Sequence, residues 1–264
     1  MNKQVTELPT ASSAKILANV AETVALVGGP VLAMIKLSAV YPGAWLIAGI
    51  GVLAFLLAVL LGQVGFMRLV TNRWKKRALA RGLHEDQTRK TYLYARLIPI
   101  GSLTAGVLEE TARFALLSLM LPYAAAPWII GVAFGLGHGG IESIVLGLAS
   151  GVVGLLDFLL PAKMAGLTLT GVRRYRASEH WIGIGERAGV TLCHVLFTLL
   201  VVRTVLTGNI LWYFTAMALH ATMDFVWGSG RLRYGWSLFR CMLVPWVTAL
   251  AGLLLLWVSG GLLT

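Results

Sequence analysis

Apolar residues run along this chain in long blocks, each close to the roughly 20 residues that an α-helix needs to cross a bilayer. The blocks predict seven membrane helices: Ile16 to Ile35, Ala44 to Met67, Ala95 to Leu121, Trp128 to Leu156, Ala188 to Leu206, Ile210 to Trp227 and Phe239 to Leu262. The first is too long for the roughly 7 to 15 residue apolar core of a signal sequence and reads as a span. Between the blocks lie short polar stretches of biased charge. Arg68 to Lys90 carries Arg68, Arg73, Lys75, Lys76, Arg77, Arg81, Arg89 and Lys90 against Glu85 and Asp86. Pro161 to Arg187 carries Lys163, Arg173, Arg174, Arg176 and Arg187, and Arg231 with Arg233 marks a third basic stretch. By the positive-inside rule all three are cytoplasmic, which puts the N-terminus inside and the C-terminus outside. A tight turn at Thr207-Gly208-Asn209 joins the fifth and sixth spans.

Composition agrees with this pattern. Of 264 residues, 58% are hydrophobic and only 12% are charged, where a soluble domain would carry about 25%; the mean hydropathy is +0.80. The fold class is therefore all-α, a polytopic transmembrane helical bundle, with residues 1–264 forming a single integral membrane domain. The net charge of +11 follows the short loops and does not gather on one face, so it points to topology and away from nucleic acid. Cys193 and Cys241 sit inside apolar runs without metal-type spacing and read as buried thiols, with no disulfide.

Within the spans, ionisable residues stand out because each costs roughly 2.5 to 3.5 kcal/mol at a bilayer centre on insertion scales. Glu109, Glu110 and Arg113 lie together in the third span, Glu109 about 14 residues in and so near the midplane at 1.5 Å per residue. Arg113, four residues on, shares a helical face with Glu109, whereas Glu110 points about 100° away and serves a different partner. The fourth span carries His138 and Glu142, one turn apart among Gly135, Gly137, Gly139 and Gly140, which remove bulk so that another helix can approach. The fifth carries His194 with Thr198 one turn later, and the sixth His220 with Asp224 one turn later, a spacing at which a carboxylate can bias an imidazole tautomer. His84 and His180 fall in charged loops and read as solvated; Glu22, Asp157 and Arg203 lack a comparable partner and read as interfacial or structural.

Glu109-Glu110-x-x-Arg113, Phe134-x-x-x-His138, His194 and His220-x-x-x-Asp224 resemble, in order, the four motifs of the intramembrane protease superfamily of CAAX prenyl endopeptidases and bacteriocin-processing enzymes. Gly137-His138-Gly139-Gly140-Ile141-Glu142 and Glu186-Arg187 resemble its YhfC branch, a family of intramembrane metalloproteases. The likeness implies a catalytic core over residues 92–228 and hydrolysis of a peptide bond in a membrane-associated protein or lipidated peptide, with the protein in a bacterial cytoplasmic membrane. It implies that Glu109 polarises water with His138, that His220 and Asp224 orient the tetrahedral intermediate, that His194 is a donor or ligand, and that Glu110 and Arg113 support them.

Read on their own, His138, His194 and His220 with Glu109 or Glu142 would supply the three protein ligands of a catalytic zinc, although the local His-Glu-x-x-His spacing is missing. Two other classes fit a midplane cluster. A proton- or ion-coupled transporter would show two pseudo-symmetric halves, and no internal repeat is visible. A non-catalytic membrane scaffold would keep only part of the polar set, whereas both Glu109 and Glu110 are retained here.

Overall fold

The computed structural model describes residues 13–80, 94–159 and 177–260, and among these the chain is helical with no strand. Eight α-helices follow one another among the described residues: α1 (Ser13–Val40), α2 (Ala44–Leu57), α3 (Gly65–Ala80), α4 (Tyr94–Met120), α5 (Pro127–Leu159), α6 (Ala177–Thr207), α7 (Leu211–Gly228) and α8 (Leu238–Val258). A π-helical segment, Ala58–Val64, joins α2 to α3 without a turn, and a second, Ser229–Arg233, extends α7. Among the described residues, four helices are long and apolar enough to cross a membrane by length and composition: Ile16–Val40, Pro127–Leu156, Ser178–Thr207 and Leu238–Val258. The protein is therefore an integral membrane protein, an all-α bundle.

The blocks of apolar sequence locate the helices but not all their ends. The second block was expected to stop at Met67 and pass into a basic loop; instead the helix runs on to Ala80, so Arg68, Arg73, Lys75, Lys76 and Arg77 ride on α3. The fifth was expected to begin near Ala188, but α6 starts at Ala177. Charged residues at the end of a span extend a helix as readily as they end it, since their long side chains reach polar surroundings from a helical backbone. The remainder of both expected loops, and His84, lie outside the described residues.

Helix α6 is the centre of the bundle. Every residue from Cys193 to Val202 is buried, which marks a helix apolar on all sides that other helices surround. It runs antiparallel to α5 on one side, turns through Gly208 at φ 70° into antiparallel α7 on the other, and lies parallel to α8, where the Cys193 thiol donates to the Pro245 carbonyl at 3.0 Å. Both cysteines are free and buried, as their apolar settings predict. The α6–α7 turn needs Gly208 for its left-handed conformation, and Asn209 Oδ1 then accepts the Leu211 N–H at 3.1 Å to start α7.

The α5 glycines set how closely its neighbours approach. A Cβ on Gly135 would fall 2.6 Å from Val195 Cα, and one on Gly139 would fall 2.9 Å from His194 Cβ. On another face, Gly137 rests on the backbone of Ala48, where a Cβ would come within 2.7 Å of its Cα. Thus α5 is gripped between α2 and α6 at the level of His138. Gly137→Ala should force α2 outward and cost about 1–3 kcal/mol, read as a lower Tm of the detergent-purified protein. Gly49→Ala, on α2 with nothing within 4 Å, should leave Tm unchanged or raise it; equal Tm values for the two variants would contradict the close-packing account.

Candidate functional site

The four central helices bring their polar residues to one place. Glu109, Glu110 and Arg113 come from α4, His138 and Glu142 from α5, His194 from α6, and His220 and Asp224 from α7. Glu109, Glu110, Arg113, His138, His194 and His220 are all buried. The imidazoles lie against one another: His138 and His194 have ring centroids 4.9 Å apart, His194 and His220 5.2 Å. Apolar rings wall the cluster, Phe55 of α2 edge-on to His138 at 5.4 Å and Phe197 stacked on His220 at 5.3 Å.

Pairing within the cluster runs between helices more than along them. His138 Nε2 lies 3.0 Å from Glu109 Oε2, and His220 Nε2 lies 3.7 Å from the same oxygen. Arg113 was expected to stack with Glu109 one turn back; its Nη1 instead donates to Glu110 Oε1, three residues back. Its Nη2 reaches His194 Nδ1 at 3.1 Å. The His220–Asp224 pair, expected to share a proton along α7, is 3.8 Å apart, and His220 Nδ1 is bonded to Glu110 Oε1 at 2.8 Å. Glu142 does not partner His138 on its own helix: Oε2 takes His194 Nε2 at 3.2 Å and Oε1 takes Arg187 Nη1 at 2.8 Å. In each case i,i+3 or i,i+4 spacing was right about the face and silent about the rotamer, which the neighbouring helix decides.

These bonds fix ring protons. A guanidinium can only donate, so His194 Nδ1 accepts from Arg113 and its ring proton sits on Nε2, aimed at Glu142. An ionised carboxylate can only accept, so His220 holds its proton on Nδ1 towards Glu110 and turns Nε2 to the space between Glu109 and Asp224.

One side of the cluster is open. Side-chain exposure is 0% for Glu110 and Arg113, but 16% for Arg187, 29% for Glu142 and 36% for Asp224. Glu142 lies past His138 towards the C-terminus of α5, Arg187 before His194 in α6, and Asp224 past His220 in α7. Because α5 and α7 both run antiparallel to α6, all three edge residues lead to the same end of the bundle, the end with the basic segments.

In sequence Arg187 closes a basic stretch and belongs to a pair that resembles the YhfC branch, and His180 reads as solvated. Arg187 belongs to the network, and His180 is buried in α6 with Nδ1 2.7 Å from Glu22 Oε2. Glu22 also accepts from Ser150 Oγ at 2.7 Å, so it is not without a partner. The signal available for both was the helical phase of α6: His180, Arg187, Thr191, His194 and Thr198 follow each other at seven, four, three and four residues, one continuous stripe. Arg203 donates to the Ser259 carbonyl and lies over Trp212 at 5.5 Å, a structural tie between helix ends; the Asp157 side chain lies outside the described residues.

Ligand atoms of Glu109, His138 and His194 lie within 4.8 Å of one another. One carboxylate and two imidazoles form a donor set that zinc accepts, and zinc bonds of about 2.0–2.1 Å put ligand atoms about 3.4 Å apart in a tetrahedron, close to the His138–Glu109 separation. Charge agrees: in the connected network Glu109, Glu110, Glu142, Glu186 and Asp224 face two guanidiniums, Arg113 and Arg187. The donor set therefore fits a divalent cation. Both ring nitrogens of His194 are engaged, by Arg113 and Glu142, so one of these bonds opens on loading.

Residues 24–244 match the family model of the YhfC intramembrane metalloproteases. Neither the curated proteins nor the solved structures contain a match to the chain.

Removing one member of a buried ion pair leaves the other uncompensated, at about 3–5 kcal/mol. Arg113→Met should lower stability by that amount, read by thermal unfolding in detergent. Arg113→Lys, which keeps charge but not the fork that reaches both Glu110 and His194, should fall between; a stability loss below about 1 kcal/mol for Arg113→Met would show that the pair carries no such weight.

Proposed function

The chain belongs to the YhfC intramembrane metalloprotease family, and on that premise we propose that it hydrolyses a peptide bond of a membrane-associated protein or lipidated peptide at the Glu109 cluster. The observation that carries this reading is a single buried carboxylate oxygen facing imidazoles from two other helices, His138 at 3.0 Å and His220 at 3.7 Å, beside a partly exposed edge. Amide hydrolysis needs a base for water, donors for the developing oxyanion and an acid for the leaving amine. Glu109 takes the proton of the attacking water and returns it to the amine nitrogen. His138 holds the Glu109 carboxylate in place. His220, its Nδ1–H donated to Glu110 in a hydrogen bond, presents Nε2 to the reacting centre, and with Asp224 at the edge it orients the tetrahedral intermediate. Arg113 fixes Glu110 and thereby the His220 ring, while Glu142 fixes His194.

Glu109, His138 and His194 would hold a divalent cation, zinc being the first candidate, and His220 Nε2 stands beside them, 3.7 Å from the Glu109 carboxylate. Such an ion, when bound, polarises a carbonyl and eases deprotonation of water. The catalytic core spans residues 92–228 and the mouth opens to the cytoplasmic side of a bacterial membrane, since the edge residues lead to the end with the basic segments. The Nε2–H of His194 is committed to Glu142, which favours a ligand over an oxyanion donor for that residue.

Glu109→Gln should remain folded and lose about 10²- to 10⁴-fold in hydrolysis. The check is mass spectrometry of membrane-fraction peptides from cells producing either form: cleavage products should be present with the wild type and absent with the variant, and equal product levels would remove Glu109 from the chemistry. A separate measurement concerns the ion. Purified wild-type protein should carry about one zinc or other divalent ion per chain, and His138→Gln should carry far less. Undiminished hydrolysis by chelated, metal-free wild type would instead establish a mechanism run by the glutamate alone.

A further inference from the structure

Arg187 belongs to the Glu186-Arg187 pair that resembles the YhfC branch but has no part in the proposed chemistry, and its guanidinium is shared between two carboxylates. Nη1 donates to Glu142 Oε1 at 2.8 Å and Nη2 to Glu186 Oε1 at 2.5 Å. Glu142 gives its other oxygen to His194 Nε2 at 3.2 Å. Arg187 and His194 stand on one face of α6, seven residues and so about 10 Å apart, too far to touch. A carboxylate from α5 fills the interval. The order arginine, glutamate, histidine repeats what Arg113, Glu110 and His220 build on the other side of the cluster. Those two chains differ in exposure: the Arg113–Glu110 pair is sealed at 0%, whereas Arg187 and Glu142 are 16% and 29% exposed.

We propose that Arg187 is a positioning residue of the hydrolytic site, acting through Glu142 on the ring of His194. This rests on the reading of the cluster as a peptidase centre. An isolated Glu142 carboxylate at the partly exposed edge would rotate and hydrate. With one oxygen held by a planar, two-pronged donor, the other is aimed at Nε2–H, which holds the ring from its outer side while Arg113 on Nδ1 sets the tautomer. Outer partners of this kind orient a histidine, and their loss typically costs about 10- to 100-fold in activity or metal affinity. Glu186 keeps the guanidinium from turning towards solvent.

The test uses the full-length protein in detergent, metal-free and labelled with ¹⁵N-histidine, with His194→Gln identifying the His194 signals among those of five histidines. In wild type, the His194 nitrogens should report one tautomer protonated at Nε2. Arg187→Ala and Glu142→Gln should each shift the Nε2 signal towards that of a weaker hydrogen bond while Arg113, on Nδ1, still holds the tautomer, and Arg187→Lys should restore part of the wild-type pattern. On a reporter peptide containing a cleavage site found by the membrane-peptide comparison, Arg187→Ala should lower kcat about 10- to 100-fold with KM within about twofold, and Arg187→Lys should recover part of that loss. If Arg187→Ala fails to fold, the Lys and Glu142→Gln variants decide. Unchanged His194 signals in these variants, or a fall in kcat with unchanged signals, overturns the proposal. Should wild type hydrolyse nothing, the peptidase reading fails alone, because the ¹⁵N spectra still show whether Arg187 governs the His194 ring.

Discussion

A wholly buried carboxylate, Glu110, receives a guanidinium from its own helix and an imidazole from another, and much of the centre of this bundle follows from satisfying it. A carboxylate in an apolar interior is tolerable only when it is paired and hydrogen-bonded. Arg113 supplies the charge and His220 the further bond, which ties α4 to α7. Arg113 has a second donor to place and gives it to His194, which ties in α6. His194 donates its Nε2–H to Glu142 and so reaches α5. Each group added to meet one unsatisfied atom brings another, and the chain of demands ends at Arg187 and Asp224, where the site is partly exposed and water can do the rest.

The close approach that such a network requires is a property of small residues. Gly135 and Gly139 let α5 sit against the backbone of α6 beside His194, and Gly106 lets α4 approach Met217 and Ala221 of α7. Without a hydrophobic drive between helices in lipid, contact of this kind and interhelical hydrogen bonds hold a bundle together. The same packing that supplies stability therefore delivers carboxylates and imidazoles to within a few ångströms of one another. Nothing in this division of labour singles out proteolysis; that step comes from the family to which the chain belongs and from a donor set that fits a metalloprotease.

The helices and the members of the cluster can be read from the chain because both are anomalies against a simple background. An apolar block of span length is visible without any structure, and Glu109 or His138 is visible inside it because the bilayer makes it costly. Partners are a different matter. Arg113 has Glu109 four residues back and Glu110 three back, and both spacings permit contact; the choice falls to His220 and His194 on other helices. Glu22 and His180 are 158 residues apart, and no local pattern joins them. The role of Arg187 is hidden for another reason: Glu186-Arg187 resembles a family signature, but positive charge near a span end also carries the topology signal, and a residue that serves a site there looks the same as one that marks the cytoplasm.

The claim at the root of this account is that side chains on separate helices are energetically joined, and the Glu110–His220 bond between α4 and α7 exposes it most directly. Unfolding free energies of Glu110→Gln, His220→Gln and the double variant, measured in one detergent, give their coupling. The account predicts a coupling of about 1–3 kcal/mol, as for neighbours in one hydrogen-bonded network. Effects that add to within about 0.5 kcal/mol would mean that the two groups do not meet, and the site as described would not exist.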